Sequence, residues 1–415
     1  MKALLQNAAL VTVSTVLTFV GLEAAYRGRV YLREPQRFVQ HDIWREPVPF
    51  FNAPFSTFNK RYGFDYPANR EFVVATIAGG RRLSCGTLRT NEAGTWSDRT
   101  PPPWQEAEIK VLVVGDSMTA TAQEGRTWPD VFEDLLRTRT GRSVSVRNLG
   151  RDGQGVLQML DIAAGEIPET QPDLLILAYI TDDLTRPRIW RRAETVNGRL
   201  RLFTTLSGDD QFDLSKSVDT IGLLPTATKE WCETSPAPGR RSDPVVDEAE
   251  ERHAAAVEHA AARISLFTLQ RSLLVDRIVY GNPFHAFLTG GSRPTVLPRH
   301  SMRRLEDDQR TAENMRVIRA SGIPIAIVHL STRAELRRGL EFVFADPEQE
   351  KSLIQSLEQG LGVPTITTRD NAPPIDSIET IGVTPTDDHP SRSGMDFYAR
   401  AMLSGMERVG IVDNL

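Results

Sequence analysis

From Ile109 onward the chain alternates short, continuous apolar runs with stretches of helical spacing, and most of the runs close on a polar cluster. Such runs predict strands buried on both faces, and their alternation with helices predicts a parallel sheet covered on both sides. The first run, Ile109–Val114, ends at Gly115-Asp116-Ser117. Val144–Val146 ends at Asn148-Leu149-Gly150, and Leu174–Tyr179 at Thr181-Asp182-Asp183. Pro324–Leu330 is the fourth run, and Val363–Thr367 a weaker fifth. Helical spacing covers Trp128–Arg137, Val156–Ile167, Asp307–Ala320 and Gly394–Val409; the last puts Phe397, Ala401, Met402 and Met406 on one face. The pattern predicts an α/β fold, a flavodoxin-like three-layer α/β/α domain of about five parallel strands.

The residues before this pattern read differently. Between Lys2 and Glu23 there is no charge, and Ala3–Leu22 would reach ~30 Å as a helix, the thickness of a bilayer core. Residues 1–26 are therefore expected to form a transmembrane anchor; a cleaved signal peptide is the rival, although Gly21–Ala25 offers no clean Ala-x-Ala site. Residues 27–104 are rich in aromatics, Pro and Gly, with strand signals at Glu71–Ile77 and Arg82–Thr90 around Gly79-Gly80, and are expected to form a small β-rich collar. The main domain is then 105–415, with an insertion over about 187–304. In it, Val196-Asn197-Gly198-Arg199 predicts a tight hairpin and Pro244–Arg263 a solvated helix.

Composition narrows the function classes. With 49 Lys and Arg against 54 Asp and Glu, the net charge is −5, so no global basic field attracts nucleic acid. The two cysteines, Cys85 and Cys232, exclude a cysteine-built zinc site and allow one disulfide at most, with packing of Cys232 as the simpler expectation. No metal site and no cofactor are expected.

Two of the polar clusters carry a recognisable chemistry. Ser117 follows the tight turn after the first buried strand, where open α/β sheets bind ligands. Near the other end of the chain, Thr386-Asp387-Asp388-His389-Pro390 places an acid two residues before a histidine, on the same side of an extended segment. A serine nucleophile needs an imidazole to take its proton and a carboxylate to fix the tautomer. Either cluster alone is common as a helix cap. Together with Asn148–Gly155 and Thr181–Leu184, also at predicted strand ends, they converge on one edge of the sheet. Asp116 is expected to cap the next helix, His329 to be a satisfied core or edge histidine, and His253 and His259 to be solvated.

The chain resembles the SGNH (GDSL-type) hydrolase superfamily. Gly115-Asp116-Ser117 resembles its first block, Asn148-x-Gly150-x-x-Gly153 its second, and Asp387-x-His389-Pro390 its last. The resemblance implies a catalytic Ser117, His389 as base and Asp387 as its partner, with the Ser117 and Gly153 amides as oxyanion donors. Thr90-Asn91-x-x-Gly94 and the anchor resemble a membrane-anchored bacterial branch, which implies a catalytic domain outside the cytoplasm. Against that, Arg27, Arg29 and Arg33 follow the span, and the positive-inside tendency would place the domain in the cytoplasm.

One position departs from the family. Its third block usually supplies an asparagine donor to the oxyanion, and Asp182 stands there instead. An ionised carboxylate repels an oxyanion, and losing one donor costs ~3 kcal/mol. Three readings follow: Asp182 is protonated and still donates, it turns away, or the site is degenerate. The function expected from the resemblance is a serine esterase or deacetylase that removes short acyl groups from an envelope polysaccharide or glycolipid. The alternatives are an O-acyltransferase using the same triad and a catalytically silent carbohydrate-binding relative. The expected partners are an acylated glycan or lipid and, through the N-terminal helix, a membrane.

Overall fold

The computed structural model describes Ser14, Thr18, Leu22 and Glu230, and residues 48–78, 81–99, 102–122, 125–196, 199–206, 218–223, 299–338, 347–384 and 387–415. The chain divides into two compact units. The larger comprises Phe51–Val74, Gly86–Glu233 and Pro294–Leu415; the smaller comprises Met1–Phe50, Ala75–Cys85 and Thr234–Arg293. The expected anchor, apart from Ser14, Thr18 and Leu22, and the expected helix Pro244–Arg263 lie outside the described residues. No described helix is long and apolar enough to cross a membrane.

The N-terminal strands are β1 (Val48–Phe51), β2 (Thr57–Asn59), β3 (Gly63–Asp65), β4 (Glu71–Ala78) and β5 (Arg81–Arg89). After them come β6 (Ile109–Gly115), α1 (Ser117–Ala120), α2 (Trp128–Thr140), β7 (Val144–Asn148), α3 (Val156–Thr170) and β8 (Leu174–Tyr179). The part of the insertion that is described holds β9 (Trp190–Val196), β10 (Arg199–Thr205) and β11 (Val218–Leu223). The domain closes with α4 (Gln309–Ala320), β12 (Ile325–His329), α5 (Arg333–Arg338), α6 (Pro347–Leu361), β13 (Thr365–Thr367), β14 (Gly382–Thr384), β15 (Asp387–Pro390) and α7 (Arg392–Arg408).

Five strands form the central sheet in the order β13-β12-β8-β6-β7, all pairs parallel. This is the doubly wound order expected from the sequence, with its topological switch between β6 and β8. Alternation along each strand divides the core into two layers. Val111, Val113, Ile176 and Val328 pack with Trp128, Phe132 and Leu136 of α2 and Phe397, Met402 and Met406 of α7. Leu112, Val114, Leu177 and Ile327 pack with Leu157, Leu160 and Ala163 of α3, Met315 and Ile318 of α4, and Leu353, Leu357 and Leu361 of α6. Each large buried side chain contributes ~1.5–3 kcal/mol. α6 is not foreseen from the sequence, because only a narrow leucine stripe, Leu353, Leu357 and Leu361, marks it within a charged segment.

The Asn197-Gly198 signal predicts the register observed: β9 and β10 pair antiparallel with Val196 opposite Arg199. Within the larger unit, β2 and β3 form an antiparallel hairpin. Phe55, Phe64, Tyr66 and Trp96 pack with Ala120 and Ala122 at the end of α1. These aromatic residues from before β6 thus pack against the end of α1.

Candidate active site

Ser117 opens α1 directly beyond the C-terminal end of β6, beside the switch point. The helix starts there because Asp116 caps it, its Oδ1 accepting from the Met118 amide at 2.8 Å. Asp116 is fully buried, and its Oδ2 lies 3.5 Å from Ser117 Oγ. Its capping role is the one expected from the sequence.

The loop after β7 is fastened to this turn. Arg151 N–H donates to the Gly115 carbonyl at 3.0 Å, and Asn148 Nδ2 donates to the Thr119 carbonyl at 3.0 Å. Asn148 Oδ1 accepts from the Gly150 amide at 2.9 Å, and Thr95 Oγ1 donates to the Asn148 carbonyl at 2.9 Å. Gly150 approaches so closely that a Cβ there would stand 2.8 Å from Ala120 N. Gly153 has φ +73°, the left-handed conformation that favours glycine. The amides on either side of it are occupied: Asp152 N–H donates to Tyr66 Oη at 2.9 Å and Gln154 N–H to the Arg151 carbonyl at 3.3 Å. The Thr90–Gly94 motif is a turn, with Gly94 at φ +71° and Asn91 Oδ1 accepting from the Thr95 amide at 3.0 Å. It thereby positions Thr95 against Asn148.

The segment with Asp387 and His389 is extended, as expected. It forms β15, paired antiparallel with β14 so that Thr384 faces Asp387 and Gly382 faces Pro390. β15 packs beside α1, and half-buried His389 acts electrostatically on Asp116. The structure thus brings the serine turn and the histidine strand together from opposite ends of the chain. Asp387 is described by its backbone alone.

At the third strand end the structure differs from the first expectation for Asp182. Arg299 Nη2 donates to both of its carboxylate oxygens at 2.7 Å, and Arg186 Nη2 donates to Oδ2 at 2.9 Å. Burial works to raise this carboxyl, but the two guanidinium charges outweigh it and hold Asp182 below the ordinary carboxylate range. Asp182 is an ionised hydrogen-bond acceptor committed to arginine, not a protonated donor. Sequence reasoning missed this because both arginines lie outside the family blocks, Arg299 at the far end of the insertion.

Arg186 is the centre of a buried ionic cluster. Its Nη1 donates to Asp183 Oδ1 and, at 3.3 Å, to Asp116 Oδ2. Asp116 and Asp183 are both wholly buried. Burial raises Asp116, against the pull of Arg186, the Met118 amide and His389. Burial and repulsion from Asp116 together push Asp183 well above the ordinary range, against Arg186 and the Ile180 amide. One guanidinium therefore ties the Ser117 turn to the turn after β8.

His329 is satisfied, as expected for a core histidine. Its Nε2 lies 3.1 Å from Thr181 Oγ1 and 3.4 Å from Glu335 Oε1 of α5. His253, His259 and Cys232 lie outside the described residues. Cys85 is disulfide-bonded, which the sequence allowed, although packing of Cys232 was the simpler expectation. Among the described residues, no group of three His, Cys, Asp or Glu is placed to hold a metal ion.

Residues 111–206 match the family model of the GDSL-like lipase/acylhydrolases, a span running from β6 through β10. Over that span the chain is similar to the GDSL-like lipase/acylhydrolases. The solved structures it resembles include a lipase/acylhydrolase from Enterococcus faecalis (11% identity, TM-score 0.32, covering 72% of this chain and 96% of that one). A family 3 carbohydrate esterase from Clostridium thermocellum is similar at 11% identity and a TM-score of 0.32, covering 74% of this chain and 98% of the esterase. No curated protein matches the chain.

Proposed function

We propose that the protein is a serine esterase that removes short acyl groups from an envelope glycan or lipid. The observation that carries the reading is the placement of β15, with Asp387 and His389, beside the helix that begins at Ser117. In this reading His389 takes the Ser117 proton as Oγ bonds to the acyl carbon. It then gives the proton to the departing alcohol, and water repeats the sequence to release the acid. Asp387 orients His389. The Ser117 and Gly153 amides, which take part in none of the turn and loop bonds described above, hold the oxyanion. Asp182, bound to two arginines, takes no part as a donor. The Cys85 disulfide supports a location in an oxidising compartment outside the cytoplasm.

The test is to treat the folded protein with a fluorophosphonate and map the adduct by mass spectrometry, with His389→Ala in parallel. Ser117 Oγ displaces fluoride to form the P–O bond only where the serine is activated. Labelling at Ser117 that falls at least about 100-fold in His389→Ala is the expected result. A folded protein that does not label would refute the esterase reading.

A further inference from the structure

The Asp152–Gly153 peptide is gripped from behind by a buried arginine. Arg191 Nη2 donates to the Asp152 carbonyl at 2.9 Å, and that carbonyl belongs to the same peptide group as the Gly153 N–H. In a trans peptide the two bonds point in opposite directions, so a cation on the oxygen leaves the N–H aimed the other way. Arg191 is only 5% exposed. Its guanidinium stacks 4.3 Å from the centroid of Phe64 and 5.5 Å from that of Phe55. Among the described residues, its buried Nε and Nη1 have no hydrogen-bond partner, and Asp152 Oδ2 is 3.7 Å from Nη1. The fold buries this charge at a cost, and the hydrogen bond it makes goes to this one carbonyl.

We propose that Arg191 is a positioning residue: by bonding the Asp152 carbonyl it polarises and aims the Asp152–Gly153 peptide, making the Gly153 N–H a stronger oxyanion donor. The inference rests on the reading of Gly153 given under Proposed function. Its physical basis is twofold. A charge-assisted bond to a carbonyl is about twice as strong as a neutral one and strengthens the N–H on the far side of the same peptide. The effect acts in a low-dielectric surrounding of aromatic rings, where charge is least screened. Tyr66 Oη, accepting from the Asp152 amide at 2.9 Å, fixes the other end of the residue, so the peptide cannot swing to follow the guanidinium. The arrangement offsets the missing asparagine donor, since Asp182 is itself held by arginine.

The experiment compares Arg191→Met and Arg191→Lys with the wild type in the full chain. Three readouts are taken: the rate of fluorophosphonate labelling at Ser117, kcat and KM on a p-nitrophenyl ester, and the thermal midpoint. Methionine keeps the contact with Phe55 and Phe64 but removes the charge. Labelling and kcat should then fall by about 10- to 100-fold with KM within about twofold. The midpoint should stay close to that of the wild type, because methionine keeps the ring contacts and the Asp152 carboxylate, 29% exposed, is left partly in water. Lysine restores a cationic donor and should recover most of the rate. Equal labelling rates in Arg191→Met and wild type overturn the inference and leave the serine reading standing. A rate loss explained by loss of folded protein assigns Arg191 a structural role and also overturns it. Should the methionine variant fail to fold, Arg191→Gln, a neutral donor, takes its place with an expected loss of at least about fivefold. A wild type that labels nowhere overturns the serine reading, and this inference with it.

Discussion

Gly150→Ala tests how tightly the loop after β7 is held against the serine turn. The added Cβ would lie 2.8 Å from Ala120 N, 2.9 Å from Thr119 Cβ and 3.0 Å from Thr119 C. Two of these are backbone atoms of α1 and cannot swing aside. Ordinary contact needs about 3.4 Å or more, so the loop must retreat by about 0.5 Å, a misfit of the kind that costs ~1–3 kcal/mol. Retreat stretches the bonds from Arg151 N–H to the Gly115 carbonyl and from Asn148 Nδ2 to the Thr119 carbonyl. In a domain of this size each kcal/mol lowers the thermal midpoint by ~2–4 °C, so a fall of roughly 2–12 °C is expected. If the Gly153 N–H is an oxyanion donor, as proposed, the same retreat shifts it relative to Ser117. Misplacement approaching 1 Å costs ~100-fold in positioned chemistry, so half of that predicts about a tenfold fall in the labelling rate. Calorimetry and timed fluorophosphonate labelling of the folded protein measure the two effects separately. Gly86→Ala is the control, because a Cβ there meets nothing within 4 Å. If Gly150→Ala matches the wild type in both midpoint and rate, the close approach of loop and helix is not what sets the site.

Two further outcomes follow from the acidic cluster. Asp182→Asn should leave labelling and hydrolysis within about threefold of wild type at neutral pH, because the carboxylate is bound to Arg186 and Arg299; a tenfold gain would revive the protonated-donor reading. Asp183→Asn should flatten the decline of stability with pH, read as thermal midpoints from pH 4 to 8. Asp183 faces Asp116, Asp182, Arg186 and the Ile180 amide, and its folded-state pKa is raised. Between the unfolded value near ~3.9 and that raised value, the folded state keeps a proton that the unfolded state has lost. Wild-type stability therefore falls as pH rises through this window and levels off above it. Asparagine removes that loss, so the variant should gain on the wild type as pH rises; parallel curves would refute the assignment.

The strand and helix plan of the main domain was legible because burial on both faces leaves a continuous apolar signature. Leu174–Tyr179 was read to the residue, and β6, β12 and α3 to within one to three residues at their ends. The Asn-Gly hairpin was legible from turn chemistry alone. So were Ser117 at the end of the first strand and the extended Asp387–His389 segment, since residue type and spacing are local properties. Residue type also showed that an aspartate stands at the third strand end.

What that aspartate does was decided by the tertiary structure. Its ionisation follows from Arg186 four residues on and Arg299 over a hundred residues away, a distance along the chain that no local pattern spans. The same holds for Arg191, whose partners are a carbonyl in another loop and two phenylalanines far upstream, Phe55 and Phe64. Sequence periodicity records which side chains leave water. It does not record which charges meet once they have left it, because Coulombic partners are set by distance in the folded chain and not by order along it.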